Sequence, residues 1–408
     1  MYPHLYIMFP THIKKYNTPS FSDESELFLK RLFKQIQSQS SLSSSLPPSP
    51  VLMPTATSHP SLEEKECFPV GTHFENIESL IQESIRDIPN KISYSSSFSI
   101  QHRTFHVYFT VSNSPSSVTK EIETALFNMY RWLIIATHYS EQAICSQTLN
   151  IYIYWTDLKK HLPKKKREPI HWEHANTAFT FACHLPGESS TGTNEINIYR
   201  KEEWFKVFIH ETFHSFALDF SILTNASQLS DQWIRQQLFR IDTEDMRFYE
   251  AYTETWAEII SLLFMVAATT TTAEFTVETF QKILSVELCW STFQCVKVLR
   301  HYDLDYTSLL ALKKITNKYK ENTPAFSYFI IKCICILNID RFIQWTMKQN
   351  HGSLCFKKTA RNVQHFAHAL KEWSDDETTT EKIIKIQNWM ESKSFPQEIQ
   401  NTLRMTYS

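Results

Sequence analysis

Glycine is nearly missing from this sequence. Four residues of 408 are glycine: Gly71, Gly187, Gly192 and Gly352. Loops that cradle phosphate on backbone amides need closely spaced glycines, because a Cβ blocks the approach. A P-loop and a glycine-rich dinucleotide turn are therefore excluded. A charge of one sign is missing as well. Lysine and arginine number 41 against 43 acids, a formal net charge of −2, so no whole-chain field draws the protein to nucleic acid or to an anionic membrane. No nucleic-acid partner is expected. Long hydrophobic runs are absent: the stretches from Ile259 (IISLLFMVAA) and Phe329 (FIIKCICIL) fall short of the roughly 20 residues that span a bilayer. The opening MYPHLYIMFP has no basic start and carries Pro3 and Pro10, so no secretory leader is expected. An intracellular chain, with the cytoplasm favoured, keeps its eight cysteines reduced. Cys333 and Cys335 lack a second pair at zinc spacing and read as small buried residues.

Hydrophobic residues make up 42% and charged residues 21%, enough apolar material for a sizeable core. One basic run stands out, KKKR at residues 164–167. A solvated loop is the favoured reading; a nuclear-import or anion-binding patch is the other.

Residues 24–39 have helical apolar spacing, with Leu27, Leu29, Leu32, Phe33 and Ile36. A Ser/Pro-rich stretch of low charge follows and reads as a disordered tether. Alternation then predicts a hairpin from 93–100 and 103–111. A helix is expected over 118–138, with Ile122, Leu126, Met129 and Leu133 at turn spacing. Strands are expected over 149–155, 176–183 and 195–200. From about Tyr249 onward the pattern is helical: 249–267, 275–299, 305–319, 326–337, 360–373 and 379–391. A small mixed sheet followed by helices is an α+β pattern. The expected organisation is an N-terminal arm with a helix (1–37), a linker (38–69), a main domain (70–300) and a helical C-terminal region (301–408).

The chemistry concentrates in WFKVFIHETFHSF, residues 204–216. His210 and His214 are four apart, so a helix places both imidazoles on one face, a turn apart. Both can reach one zinc at about 2.0–2.1 Å. Glu211 lies beside the first of them, close enough to act on a metal-activated water without ligating. The alternative is a half-buried helix with incidental histidines. A catalytic zinc needs a third protein ligand. Downstream, Glu250, Glu254 and Glu258 recur every four residues in FYEAYTETWAEII. Three acids in line repel one another and have no lysine at i+4, so a metal or histidine partner is expected to relieve them. An exposed acidic stripe is the other reading.

HETFH followed about forty residues later by ETWAE resembles the glutamate-zincin metallopeptidases, closest to the lethal-factor-like branch. The resemblance rests on these two motifs and covers about residues 176–260. It implies a zincin-like core with a small mixed sheet and a His-Glu-x-x-His helix, followed by a mainly helical region. It implies one Zn2+ per chain held by His210, His214 and Glu254, with Glu211 as general base and Glu258 orienting His210 through its second ring nitrogen. The register EAYTE also fits, with Glu250 as ligand. Tyr249 is the first candidate to stabilise the oxyanion, ahead of Tyr252, His301, Tyr302 and Tyr306. Phe216 and Ala217 stand where the metzincin pattern requires otherwise, which disfavours that branch. The function implied is zinc-dependent hydrolysis of peptide bonds in a protein or peptide substrate, laid along an edge strand near NTAFTF or EINIY. The alternatives are an inactive zincin-fold binding or structural protein, such as a viral interaction factor, and a helical interaction protein. Oligomeric state has no signal in the sequence.

Overall fold

Phe105, Val107, Phe109 and Val111 alternate with polar neighbours, and that period of two places all four on one face of a strand. Each is at most 2% exposed. The structure, a computed structural model, describes residues 9, 14, 18–38, 48–52, 79–81, 83–85, 87–112, 117–141, 145–183, 193–269 and 275–407. Most of the expected linker lies outside the described residues.

The elements run α1 (Asp23–Ser38), β1 (Val51–Leu52), β2 (Lys91–Ile100), β3 (Arg103–Ser112), α2 (Ser117–Tyr139), β4 (Thr148–Tyr154), β5 (Ile170–His171), β6 (Ala178–Thr180) and β7 (Thr193–Ile198). After them come α3 (Trp204–Ser215), α4 (Thr224–Trp233), α5 (Phe248–Thr269), α6 (Val277–His301) and β8 (Glu321–Asn322). A π-turn, Ser327–Ile331, leads into α7 (Lys332–Leu337), and α8 (Ile339–Gln349), α9 (Ala360–Ser374) and α10 (Glu377–Glu391) complete the main helices. The α+β class read from the sequence is the class observed.

Residues 35–159 and 176–218 form one compact unit. Its six-stranded sheet has the order β1-β2-β3-β4-β7-β6. β2 and β3 are the expected hairpin, in register from Lys91↔Ser112 to Ile100↔Arg103. β4 runs parallel to β3 and β7 parallel to β4, a pairing that needs a crossover, and α2 supplies the first one. β6 closes one side, antiparallel to β7 through Ala178↔Ile198. Ile122, Leu126, Met129 and Leu133 of α2 are buried, each contributing roughly 1.5–3 kcal/mol. The strand expected over 176–183 contracts to three residues. Thr180 Oγ1 donates to Glu195 O at 2.6 Å and Asn194 Nδ2 to Phe181 O at 3.0 Å, so side chains hold the remainder.

Residues 1–34, 160–175 and 219–408 form the other unit. Phe220, Phe248, Tyr252, Phe342, Phe356 and Phe366 pack as one aromatic cluster, with Phe248 stacked on Phe366 at 4.5 Å and Tyr252 edge-on to Phe356 at 5.2 Å. Asp231 caps the start of α5 by accepting the Phe248 N–H at 2.8 Å. The helix expected over 305–319 stops at Leu310. Beyond it the Thr316 backbone is taken by neighbours: Asp242 N–H donates to Thr316 O (3.0 Å) and Thr316 N–H to Arg240 O (2.8 Å). α8 was not expected as a separate helix. Asn338 interrupts the run, and its amide donates to Ile334 O at 3.0 Å and to Thr379 Oγ1 at 2.8 Å.

The acidic stripe has a cation that the sequence did not announce. Lys332, fully buried on α7, pairs with Glu258 and donates to Ser291 Oγ (3.3 Å) and Met405 O (3.2 Å). Burial alone would lower its pKa, but Glu258, Glu254 and Glu287 together hold the ammonium above its ordinary range. The expectation that a metal or histidine relieves all three acids is corrected to this extent. Lys332 is 74 residues from Glu258, so no local spacing signals the pair.

The expectation of reduced cysteines is also corrected. Cys145 and Cys183 form a disulfide, and Cys289, Cys295, Cys333, Cys335 and Cys355 are buried thiols. Among the described residues no helix is long and apolar enough to cross a membrane.

Two outcomes follow. Lys332→Met leaves buried carboxylates without their cation and should cost about 3–5 kcal/mol. Lys332→Met with Glu258→Met should recover part of that in urea unfolding; a single-variant loss under 1 kcal/mol would contradict the buried pair. Asp231 is raised from 3.8 to about 6, first by burial, against the Phe248 amide. Its native pKa lies above the unfolded value, so its contribution is full below about pH 4 and is lost as pH rises toward about 6. Asp231→Asn keeps an acceptor for the Phe248 amide and should flatten that decline when unfolding is followed at pH 4, 5.5 and 7.

Candidate metal centre

α3 is a short helix with ten buried residues, Lys206 through Ser215. Its orientation is set from behind. Trp132 of α2 donates its indole N–H to Thr212 Oγ1 at 2.6 Å, and Thr212 Oγ1 donates to Ile209 O at 2.6 Å. Phe213 lies parallel to the Trp132 ring at 6.0 Å. With Thr212 and Phe213 turned to α2, the 100° step of the helix turns His210 and His214 to another face.

The end of α3 is held unusually well for a helix without a C-terminal glycine. Ala217 adopts a left-handed conformation (φ 50°), which costs a β-carbon residue roughly 1–2 kcal/mol. Ala217 N–H donates to His214 O (3.1 Å) and Leu218 N–H to Phe213 O (2.7 Å), the paired bonds of a Schellman ending. The remaining carbonyls are satisfied from outside the helix. Cys183 N–H donates to His214 O at 3.2 Å. Ser146 Oγ donates to Ser215 O at 2.7 Å and Ser140 Oγ to Phe216 O at 3.0 Å. Arg103 braces this end by donating to Cys145 O (3.1 Å) and Ser140 Oγ (3.0 Å), its guanidinium 4.8 Å from the Phe216 ring centroid. The disulfide joins the two segments, at Cys145 and Cys183, that grip the helix end.

On the free face of the helix, His210 Nε2 and His214 Nε2 lie 3.0 Å apart, with ring centroids at 4.8 Å. Both rings are buried, 6% and 7% exposed. Two facing nitrogens at that separation hold one hydrogen between them. In their neutral forms the two rings can instead each turn a lone pair toward one shared electrophile. Glu211 is buried beside them, 7% exposed.

On α5, Glu250 stands in the first turn, Glu254 a turn later and Glu258 a turn beyond, at 9%, 1% and 0% exposure. Glu254 and Glu258 lie in the field of Lys332, and Glu258 bonds to it. Glu250, the second choice from the sequence, stands a turn before Glu254 and outside that pairing. Two imidazoles and a carboxylate are the donor set of a His-His-Glu zinc site, and His210 and His214 supply the two imidazoles of such a set.

Tyr249 is half-buried, its ring edge-on to Phe220 at 6.2 Å. Burial raises its phenol pKa, and Glu250 and Asp219 raise it further, so the hydroxyl keeps its proton as a donor must. The other tyrosines considered hold backbone instead. Tyr252 donates to Leu354 O (2.9 Å), Tyr306 to Ser374 O (3.1 Å) and Tyr302 to Glu168 O (3.2 Å). Sequence reasoning missed Trp132, Arg103, Lys332 and the disulfide. None carries a local signal, because each acts across 37 or more residues.

Comparison with protein-family models, with curated proteins and with solved structures finds no match for this chain.

Cys145→Ser with Cys183→Ser should lower stability by about 2–4 kcal/mol. Wild type unfolded under a strong dithiol reductant should lose the same amount. Equal stability of wild type and double variant without reductant would mean the thiols are not joined.

Proposed function

We propose that this chain is a zinc-dependent metallopeptidase with a zincin-like core. The observation that carries the reading is the 3.0 Å approach of two buried imidazole nitrogens on a His-Glu-x-x-His helix. The sheet order supports it, since a short antiparallel strand closes the sheet beside β7 and the motif helix follows β7 in the chain. His210, His214 and Glu250 hold the ion in this reading, and Glu254, the closer match to the family motif, is the competitor.

A zinc ion held there would supply Lewis acidity toward a scissile carbonyl. Glu211 would act as general base, taking a proton from the attacking water and returning it to the leaving amine. Tyr249 donates its phenolic hydrogen to the developing oxyanion. β6 offers backbone groups to an extended substrate, and side-chain alternation along the peptide sets which residues face the protein.

The test is elemental analysis of the purified full chain, with peptidase activity read on a fluorogenic peptide library. About one zinc per chain is expected, lost in His210→Ala and His214→Ala. Glu250→Gln should weaken zinc binding by more than Glu254→Gln does; the reverse order would return the ligand role to Glu254. Glu211→Gln should keep zinc and lower kcat by at least about 100-fold. Undiminished peptidase activity in Glu211→Gln, or an absence of zinc after metal-replete purification, would end the peptidase reading.

A further inference from the structure

The basic run at 164–167 has a destination in the fold. It forms one wall of a cavity of about 1180 Å³, within the unit of residues 1–34, 160–175 and 219–408. The cations lining it are Lys164, Lys165, Lys166, Lys297, Arg300 and Lys393, and the one lining carboxylate is Glu168. Two of the cations are already matched from outside the lining. Asp303 takes Lys166, together with Arg167, and Glu391 pairs with Arg300. Glu168 accepts the backbone N–H of Lys165 at 3.3 Å, so it caps its own turn.

The unmatched charge is therefore Lys164, Lys165, Lys393 and Lys297. No carboxylate among the described residues pairs with them. Lys297 differs in kind from the other three. Its ammonium is buried and donates to Ile399 O and Thr402 O, both at 2.7 Å, with the Phe293 ring 4.9 Å away. Two carbonyls use two of its three hydrogens. Burial depresses its pKa well below the ordinary value, with no acid to oppose the shift. An anion arriving beside it would favour the charged form of this amine.

The wall is also held in place. Asp303 fixes the loop through Lys166 and Arg167, and Arg167 N–H donates to His301 O at 3.0 Å. Leu162 N–H donates to Asn401 O at 2.6 Å on the opposite side. The lysines are thus presented by an anchored backbone.

We propose that this cavity binds a compact solute bearing several phosphate groups on a small ring, through Lys164, Lys165 and Lys393 at its rim and Lys297 in its wall. The cavity is larger than one phosphate needs, and its free donors are lysines, which act as point charges toward many oxygens instead of as forks for one planar carboxylate. Phe293 and Phe395 supply an apolar surface against which a ring can lie. The chain's balance of charge does not oppose this, because the patch is local. The proposal is independent of the metal centre.

The probe is myo-inositol hexakisphosphate, titrated calorimetrically into the full chain, with sodium sulfate and citrate as comparators at matched ionic strength. The probe should bind saturably at one site. Lys164→Ala with Lys165→Ala and Lys393→Ala should weaken it by at least on the order of tenfold. These three side chains are exposed, so the variant should melt at the wild-type temperature. Lys297→Met should abolish binding, and the surface variant decides the matter if Lys297→Met does not fold. Short-chain phosphatidylinositol bisphosphate and its free headgroup, run in parallel, separate the two sources of the same chemistry. Tighter binding of the lipid assigns the cavity to a lipid headgroup, and equal or tighter binding of the headgroup assigns it to the free solute. Sulfate or citrate binding as tightly as the probe would overturn the proposal, as would undiminished binding in the triple variant or a single-stranded RNA competing at lower concentration than the probe.

Discussion

Two buried imidazoles with facing nitrogens are the constraint around which this protein is arranged. Their facing nitrogens lie 3.0 Å apart in a buried site, a separation that only a fixed backbone keeps. The helix that carries them must therefore be held by its surroundings. Trp132 holds it from behind through Thr212 and Phe213. Cys183, Ser146 and Ser140 hold its end through three successive carbonyls. Those contacts also explain how a chain so poor in glycine ends a helix sharply. Ala217 takes the left-handed position, and donors from outside the helix offset its strain.

The second concentration of buried charge lies on α5 and α7. Three acids at four-residue spacing would destabilise an isolated helix. Lys332 lies against Glu258 and within the field of Glu254 and Glu287, so the stripe becomes a buried ion cluster instead of an exposed face. This divides the labour among the three. Glu258 is committed to the lysine, while Glu250 stands at the start of the helix and beyond that pairing.

The hairpin, α2, the strand at β4 and the long helices α5, α6, α9 and α10 were legible because burial on one face imposes a period that a single sequence displays. The element over 305–319 was misread because its helical spacing competes with a backbone bridge to Ile241, a partner 75 residues away. α8 was missed because Asn338 breaks the run through a side-chain bond to Thr379. The same division holds for the site. His210, Glu211 and His214 were legible because a four-residue spacing on a helix is itself a geometry. Glu250 against Glu254 was not, because both fit one helical face and only the packing around that helix separates them.

The amino-acid sequence alone determined the class of fold, the helix bearing two histidines and a glutamate, and the acidic helix that follows. Each is written in a short-range period that steric rules convert directly into structure. The tertiary structure alone decided that Lys332 pairs with Glu258, that Cys145 meets Cys183, and that a basic loop walls a cavity. Those outcomes join residues far apart in the chain, and electrostatic and covalent partners at such separations leave no imprint on local pattern.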